Sequence, residues 1–167
     1  MIVMDERTCM VDIAKYFTHF LKDESCGKCF TCRKGTQRMF EILDDISSGK
    51  GMIEHLDLLE ELAPVVKDTA MCGLGQTAPN PVLSTLRYFR DEYLEHIENR
   101  SCRAGVCKEL ITYSINENCK GCGRCVTVCP VEAIRGEKGK QHVIDPARCS
   151  KCGACRTVCK FDAVEVG

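Results

Sequence analysis

Eight cysteines between Cys119 and Cys159 fall into two copies of one spacing, C-x2-C-x2-C-x3-C: Cys119, Cys122, Cys125 and Cys129, then Cys149, Cys152, Cys155 and Cys159. Three closely spaced thiolates and one distant thiolate can hold a [4Fe-4S] cube, and in paired runs of this kind the fourth cysteine serves the other cube. Crossed ligation therefore assigns Cys119, Cys122, Cys125 and Cys159 to one cluster, and Cys149, Cys152, Cys155 and Cys129 to the other. Gly121, Gly123, Gly153 and Ala154 lie between ligands, where small residues let the backbone wrap closely and aim N–H groups at a negatively charged group. Pro130 follows the first run. Lys160 stands in its place after the second, leaving one more N–H and a positive charge near the Cys119 cluster, which would raise that cluster's potential modestly unless the lysine is simply solvated.

A third group begins at Cys26, Cys29 and Cys32. This C-x2-C-x2-C triplet has no nearby fourth cysteine, so a [4Fe-4S] cluster here needs a ligand from far along the chain. Cys72 is the natural choice, because it opens the glycine-rich stretch Cys72-Gly73-Leu74-Gly75-Gln76-Thr77. Zinc is the competing occupant, although zinc sites more often use paired knuckles than a triplet. Cys102 and Cys107 belong to none of these sets. Either they are buried without a metal, or they form half of a tetrahedral Zn2+ site completed by histidine, with His96 and His142 as candidates. Cys9 has no partner in spacing and reads as a core or boundary cysteine.

Fifteen cysteines in 167 residues would suit a secreted disulfide scaffold, but C-x2-C spacings and the absence of a signal peptide point to a reducing compartment, hence a cytoplasmic location. No stretch approaches a transmembrane helix in length. Acidic residues outnumber basic ones before residue 119 and the balance reverses after it. The basic residues of the tail are interleaved with cysteines, with neither a cationic stripe nor a stacking aromatic array, so nucleic acid is not an expected partner.

Helical periodicity supplies the scaffold. Met10, Ile13, Ala14, Phe17, Phe20 and Leu21 mark one apolar face behind an N-cap at Thr8, and Met39, Leu43 and Ile46 mark a second helix. Leu56, Leu59, Leu62, Ala63 and Val66 mark a third, which Pro64 should bend or interrupt. A fourth follows Asn80-Pro81 with Val82, Leu86, Phe89, Tyr93 and Ile97 inward. Further on, Lys108 to Ile115 reads as extended, Pro130 to Ile134 as a helix-like turn and Gln141 to Ile144 as a strand. The expected architecture is mainly α, then α+β: a small four-helix bundle over residues 9–97 carrying one [4Fe-4S] cluster, a linker with a zinc site over 98–118, and a two-cluster bacterial-type ferredoxin domain over 119–167. Residues 1–8, with the apolar run Met1-Ile2-Val3-Met4, read as the remnant of an upstream domain.

Two stretches carry a family resemblance: Glu24-Ser25-Cys26-Gly27-Lys28-Cys29-Phe30-Thr31-Cys32-Arg33-Lys34-Gly35-Thr36, and Cys72-Gly73-Leu74-Gly75-Gln76-Thr77-Ala78-Pro79-Asn80-Pro81. They resemble the C-terminal cluster region of the NADH-binding, FMN-containing subunit of respiratory complex I. The likeness is greater still to the equivalent subunit of multimeric or electron-bifurcating [FeFe] hydrogenases and NAD(P)-reducing hydrogenases, whose bundle is followed by a ferredoxin domain. The resemblance implies that Cys26, Cys29, Cys32 and Cys72 hold the cluster that takes electrons from FMN. It also implies that FMN and NAD(P) bind only an upstream flavin domain, absent from these residues. Zinc near Cys102, Cys107 and His142 is strengthened by the same likeness, His96 less so.

The expected function is single-electron relay through three [4Fe-4S] clusters in an FMN-dependent, NAD(P)H-linked oxidoreductase complex, without catalytic residues of its own. Implied partners are a catalytic hydrogenase or formate dehydrogenase subunit, a small thioredoxin-like [2Fe-2S] subunit and soluble ferredoxin. An autonomous ferredoxin-like carrier is the alternative.

Overall fold

The computed structural model of the protein describes residues 3–5 and 7–167; of the run Met1-Ile2-Val3-Met4, read as the end of an upstream strand, Met1 and Ile2 lie outside the described residues and Val3 and Met4 are in no strand. The chain divides into two compact units, Met1–Leu110 and Ile111–Gly167.

The first unit is helical. Helix α1 spans Met10–Asp23, α2 Phe30–Ser47 and α3 Glu54–Thr69. A short α4 (Gly73–Thr77) and α5 (Asn80–Tyr88) follow, then α6 (Arg90–Leu94), which runs into a π-helical turn at Glu95–Asn99. The core comes from Val11 and Ala14 of α1, from Met39, Ile42, Leu43 and Ile46 of α2, and from Leu56, Leu59, Ala63 and Val66 of α3. Three sequence expectations shift here, each for a local reason. On α1 the buried stripe is Met10, Val11, Ala14 and Thr18, while Phe20 is exposed. The inward stripe thus runs one position off the predicted one, and the bulkier Phe17 and Phe20 lie on its flank. Pro64 leaves α3 uninterrupted, because it lies on the exposed face, where water can satisfy the carbonyl that its ring deprives of a donor. The helix after Asn80 is not one element: at Phe89 the backbone turns to φ −134°, ψ 33°, leaving Phe89 itself exposed. The break re-phases the residues after it, so that Glu92, Tyr93 and His96 face inward together.

Close approach of α2 and α3 depends on Gly35, where an added Cβ would lie 2.1 Å from Cγ2 of the buried, β-branched Val66. Gly35→Ala should therefore destabilise the first unit by about 1–3 kcal/mol through overpacking, outweighing the ~1 kcal/mol that alanine ordinarily gains over glycine in a helix. Thermal melts of Gly35→Ala, Val66→Ala and the double variant check this: the double variant should be more stable than the sum of the single losses implies.

The second unit is built from two similar halves. Strand β1 (Tyr113–Ile115) pairs antiparallel with β4 (Val164–Val166), placing Ile115 opposite Val164, and β2 (Ile134–Arg135) pairs with β3 (Val143–Ile144), placing Ile134 opposite Ile144. Each cysteine run encloses one short helix, α7 (Arg124–Val128) or α8 (Ala154–Val158), entered through a left-handed glycine, Gly123 or Gly153, and ended by the last cysteine of its run. These helices were not legible in the sequence. The segment Pro130 to Ile134, expected to be helix-like, forms a turn leading into β2. Gly121 is the position that tolerates nothing larger: its φ is +64°, and a Cβ there would come within 2.6 Å of the backbone of Gly139 and Lys140. Segment 98–118 is divided between the units. Residues up to Leu110 pack with the helices, and Tyr113–Ile115 belong to one of the second unit's two sheets.

Candidate metal centres

Four buried side chains of the first unit converge: Cys9, His96, Cys102 and Cys107, with all four donor atoms within 4.8 Å of one another. Cys9 Sγ lies 3.3 Å from His96 Nε2 and 3.7 Å from Cys107 Sγ, and His96 Nε2 lies 3.4 Å from Cys107 Sγ. A tetrahedral ion with ~2.3 Å bonds to sulfur separates two sulfurs by roughly 3.8 Å. Those edges fit one four-coordinate ion, and the thiolates of a four-iron cube would stand farther apart.

The elements that hold these donors are specific to the fold. Cys9 is the N-cap residue of α1, and the helix's first N–H, on Met10, donates to the buried Glu92 carboxylate at 3.0 Å. The Glu92 carbonyl oxygen lies 2.7 Å from His96 Nδ1. With the proton on Nδ1 the imidazole donates to that carbonyl and turns the Nε2 lone pair to the centre, the usual arrangement for a metal-binding histidine. His96 sits in the π-helical turn, a local widening common at functional sites. Cys102 and Cys107 are carried on the following loop, which Arg103 fastens through Glu95 at 2.5 Å and Asp91 at 2.7 Å. Burial alone would lower the His96 pKa, but contacts with Cys102 and Cys9, the Cys9 charge and the Glu92 carbonyl outweigh it and push it up to about 10. Hydrogen bonds from Cys107 and Cys9 favour the Cys102 thiolate, while Cys107 is held protonated by the same crowding. So dense a set of sulfurs calls for positive charge at its centre.

This grouping corrects the sequence expectation on one ligand and supplies another. His96, Cys102 and Cys107 come together as expected; His142 does not join them. It is buried in the second unit with Nδ1 3.8 Å from Cys119 Sγ. The fourth donor is Cys9, 87 residues before His96, set aside in the sequence because it has no spacing partner.

Three further cavities are each lined by four cysteines. One holds Cys26, Cys29, Cys32 and Cys72, with Ser25, Ala70 and Leu74 around them. Cys29 caps the N-terminus of α2 and Cys32 lies in its first turn, so the positive end of the helix faces the thiols. Cys72 caps α4, and N–H groups of Gly75 and Leu74 lower its pKa, the environment a thiolate ligand needs. Thr69 Oγ1 donates to Thr31 Oγ1 at 2.7 Å, tying the end of α3 to the triplet's helix. In the second unit one cavity is lined by Cys119, Cys122, Cys125 and Cys159, and the other by Cys149, Cys152, Cys155 and Cys129. Backbone N–H groups already point at these sulfurs: Ala133 N–H to Cys129 at 3.3 Å and Lys151 N–H to Cys149 at 3.4 Å. Burial raises the pKa of Cys125 and Cys155, whereas the Ala154 N–H lowers that of Cys152. Soft thiolates in sets of four, with backbone donors around them, suit iron–sulfur clusters.

Residues 12–96 match the family described as the NADH-ubiquinone oxidoreductase-F iron-sulfur binding region, which is more than half of the chain. The chain belongs to that family. Residues 112–163 match a second, the 4Fe-4S dicluster domain. Among relatives, the NADP-reducing hydrogenase subunit HndC of Solidesulfovibrio fructosivorans is 54% identical over 143 residues, covering 85% of this chain and 29% of that protein. The NADH-quinone oxidoreductase F subunit of Streptomyces coelicolor is 45% identical over 98 residues, covering 59% of this chain and 22% of the relative. A crystal structure of an NAD+-reducing [NiFe]-hydrogenase in the H2-reduced state is similar at a TM-score of 0.55 and 31% identity, covering 57% of this chain and 17% of the other. The chain thus spans under a third of the length of the relatives it matches. As a family member it is an iron-sulfur binding domain related both to the complex I subunit and to hydrogenase subunits, with an α region, a ferredoxin-like sheet region and one buried Cys/His metal-binding group. Among the described residues no helix is long and apolar enough to cross a membrane.

Proposed function

We propose that the chain is the electron-relay portion of an FMN-dependent, NAD(P)H-linked hydrogenase complex, holding three [4Fe-4S] clusters and one structural Zn2+. The observation that carries this is the partition of twelve cysteines into three cavities of four: Cys26, Cys29, Cys32 and Cys72; Cys119, Cys122, Cys125 and Cys159; and Cys149, Cys152, Cys155 and Cys129. A cube with four thiolate ligands supplies one-electron transfer and leaves no iron open for substrate. The protein's part is to fix each cluster's place and tune it with backbone N–H groups. Cys9, His96, Cys102 and Cys107 hold the Zn2+ and fasten the loop that leads out of the bundle.

The alignment with HndC is longer than the first unit, so it extends into the second, whereas the [NiFe]-hydrogenase likeness covers only 57% of the chain. This favours an NADP-reducing hydrogenase-type complex whose subunit carries both units; a catalytic partner of the [FeFe] kind, a thioredoxin-like [2Fe-2S] subunit and soluble ferredoxin, in the cytoplasm, are proposed on the family resemblance alone. FMN and NAD(P) belong to polypeptide outside these residues.

Anaerobically purified protein should contain about twelve iron and twelve sulfide per chain, from three four-iron cubes, with about one zinc. Iron near eight or four would remove one or two of the assigned clusters; a colourless preparation without paramagnetism after dithionite would remove the whole reading.

A further inference from the structure

His142 is the only histidine of residues 111–167, and nothing in the zinc reading uses it. It is 2% exposed, and it lines the same cavity as Cys119, Cys122, Cys125 and Cys159. Continuing the β2–β3 register one pair beyond Arg135 opposite Val143 sets Gly136 opposite His142. A Cβ on Gly136 would lie 2.7 Å from the imidazole Cγ and Cδ2, so the bare glycine gives the ring its seat. From that seat Nδ1 points to Cys119 Sγ at 3.8 Å, the long end of the range for an N–H···S bond. A ligand thiolate only accepts, so the contact is a hydrogen bond with the proton on Nδ1. The other half of the unit is built differently: its cavity is lined by Tyr113, whose hydroxyl lies 3.0 Å from the position of a Cβ on Gly153.

We propose that His142 raises the potential of the cluster held by Cys119, Cys122, Cys125 and Cys159, making that cluster easier to reduce than it would be without the imidazole. The inference rests on the reading that those cysteines hold a [4Fe-4S] cluster. Reduction adds one electron and breaks no bond, and the added negative charge spreads onto the ligand sulfurs. A donor to a sulfur therefore favours the reduced form over the oxidised one. The hydrocarbon-like surroundings of a buried ring strengthen that preference, because water does not compete for the thiolate. The two near-symmetric halves thereby differ in this one side-chain donor.

The test is a dithionite-poised redox titration of the full chain followed by EPR, on the wild type, His142→Phe and His142→Gln. In His142→Phe, with the iron content of the wild type, one of the two second-unit clusters should become harder to reduce by about tenfold in its one-electron equilibrium, about 59 mV. The other cluster should be unmoved, and His142→Gln, which keeps an N–H donor, should lie nearer the wild type. An unshifted potential in iron-replete His142→Phe overturns the proposal. If His142→Phe does not assemble, [15N]histidine-labelled wild-type protein decides: pulsed EPR should show histidine nitrogen coupling to one of the two second-unit clusters, and absence of coupling from both overturns it. Wild-type protein with only one paramagnetic cluster would instead refute the underlying cluster assignment.

Discussion

Cys72→Ala should lose one [4Fe-4S] cluster and leave the other two spectroscopically intact, with iron falling from about twelve to about eight per chain. The reason lies in how the cavity is assembled. Cys26, Cys29 and Cys32 arrive together at the start of α2, but three thiolates leave one iron without a protein ligand, and α3 must run its full length before the fourth sulfur appears. Cys72 is then held by the N–H groups of Gly75 and Leu74 and by the anchoring of Gln76 Nε2 to the Ala70 carbonyl at 3.1 Å. Alanine keeps that backbone and removes only the sulfur. Cys72→Ser keeps an oxygen in the same place, a harder and poorer ligand for iron, so it should retain more iron than alanine while changing that cluster's EPR signal. Since the second unit has its own two cavities and its own two sheets, neither variant should alter its signals. Loss of all three signals together would show that the sites are not separate.

The grouping of these cysteines in fours was suggested by their spacing, since C-x2-C-x2-C fixes the turns between three thiols, and the three cavities are lined by the same sets. The residues that were not legible are those whose role depends on a single long-range contact. Cys9 has no local signature, since it reaches its partners only after the chain has run through α1 to α6 and returned in the π-helical turn. His142 was read as a candidate zinc ligand beside Cys102 and Cys107, and the structure sets it against Cys119 instead, because spacing does not say which site a distant histidine reaches. Phe89 illustrates the same limit: an unbroken 3.6-residue pattern places it in the core, and one backbone turn at that residue exposes it while bringing Glu92 and His96 to the metal-binding group. Helices α7 and α8 lie within the cysteine runs, where short length and ligand spacing hide any periodicity.

The largest stability effect is expected at Cys107, where alanine should abolish zinc binding while leaving the iron content unchanged. Structural zinc contributes about 10–16 kcal/mol of apparent binding energy in small peptides that fold around it. Only part of that would be lost here, because α1, α2 and α3 keep their own core, yet even a fraction is comparable with the ~5–15 kcal/mol that holds an ordinary domain folded. Without the ion, Cys9, Cys102 and His96 remain crowded and buried, and nothing neutralises the thiolates. The stretch from Arg100 to Lys108 should loosen first: apart from Cys102 and Cys107 it is held by the Ser101 N–H to the Glu95 carbonyl and by the Arg103 contacts to Glu95 and Asp91, and exposed ion pairs contribute little, while Leu110 stays buried at its end. Limited proteolysis should therefore cut the variant within 100–108 under conditions that leave the wild type whole, and a chelator should reproduce that cleavage in the wild type. Cys9→Ala should behave alike, which a merely local role for the Cys102–Cys107 loop would not produce. Falling pH should release the ion from the wild type, since each bound thiolate and the His96 Nε2 must then compete with a proton. Should Cys107→Ala instead lose four irons and keep its zinc, the group would be a cluster site; the 3.3–3.7 Å spacings among Cys9, His96 and Cys107 argue for a single ion, because a cube would hold those donors farther apart.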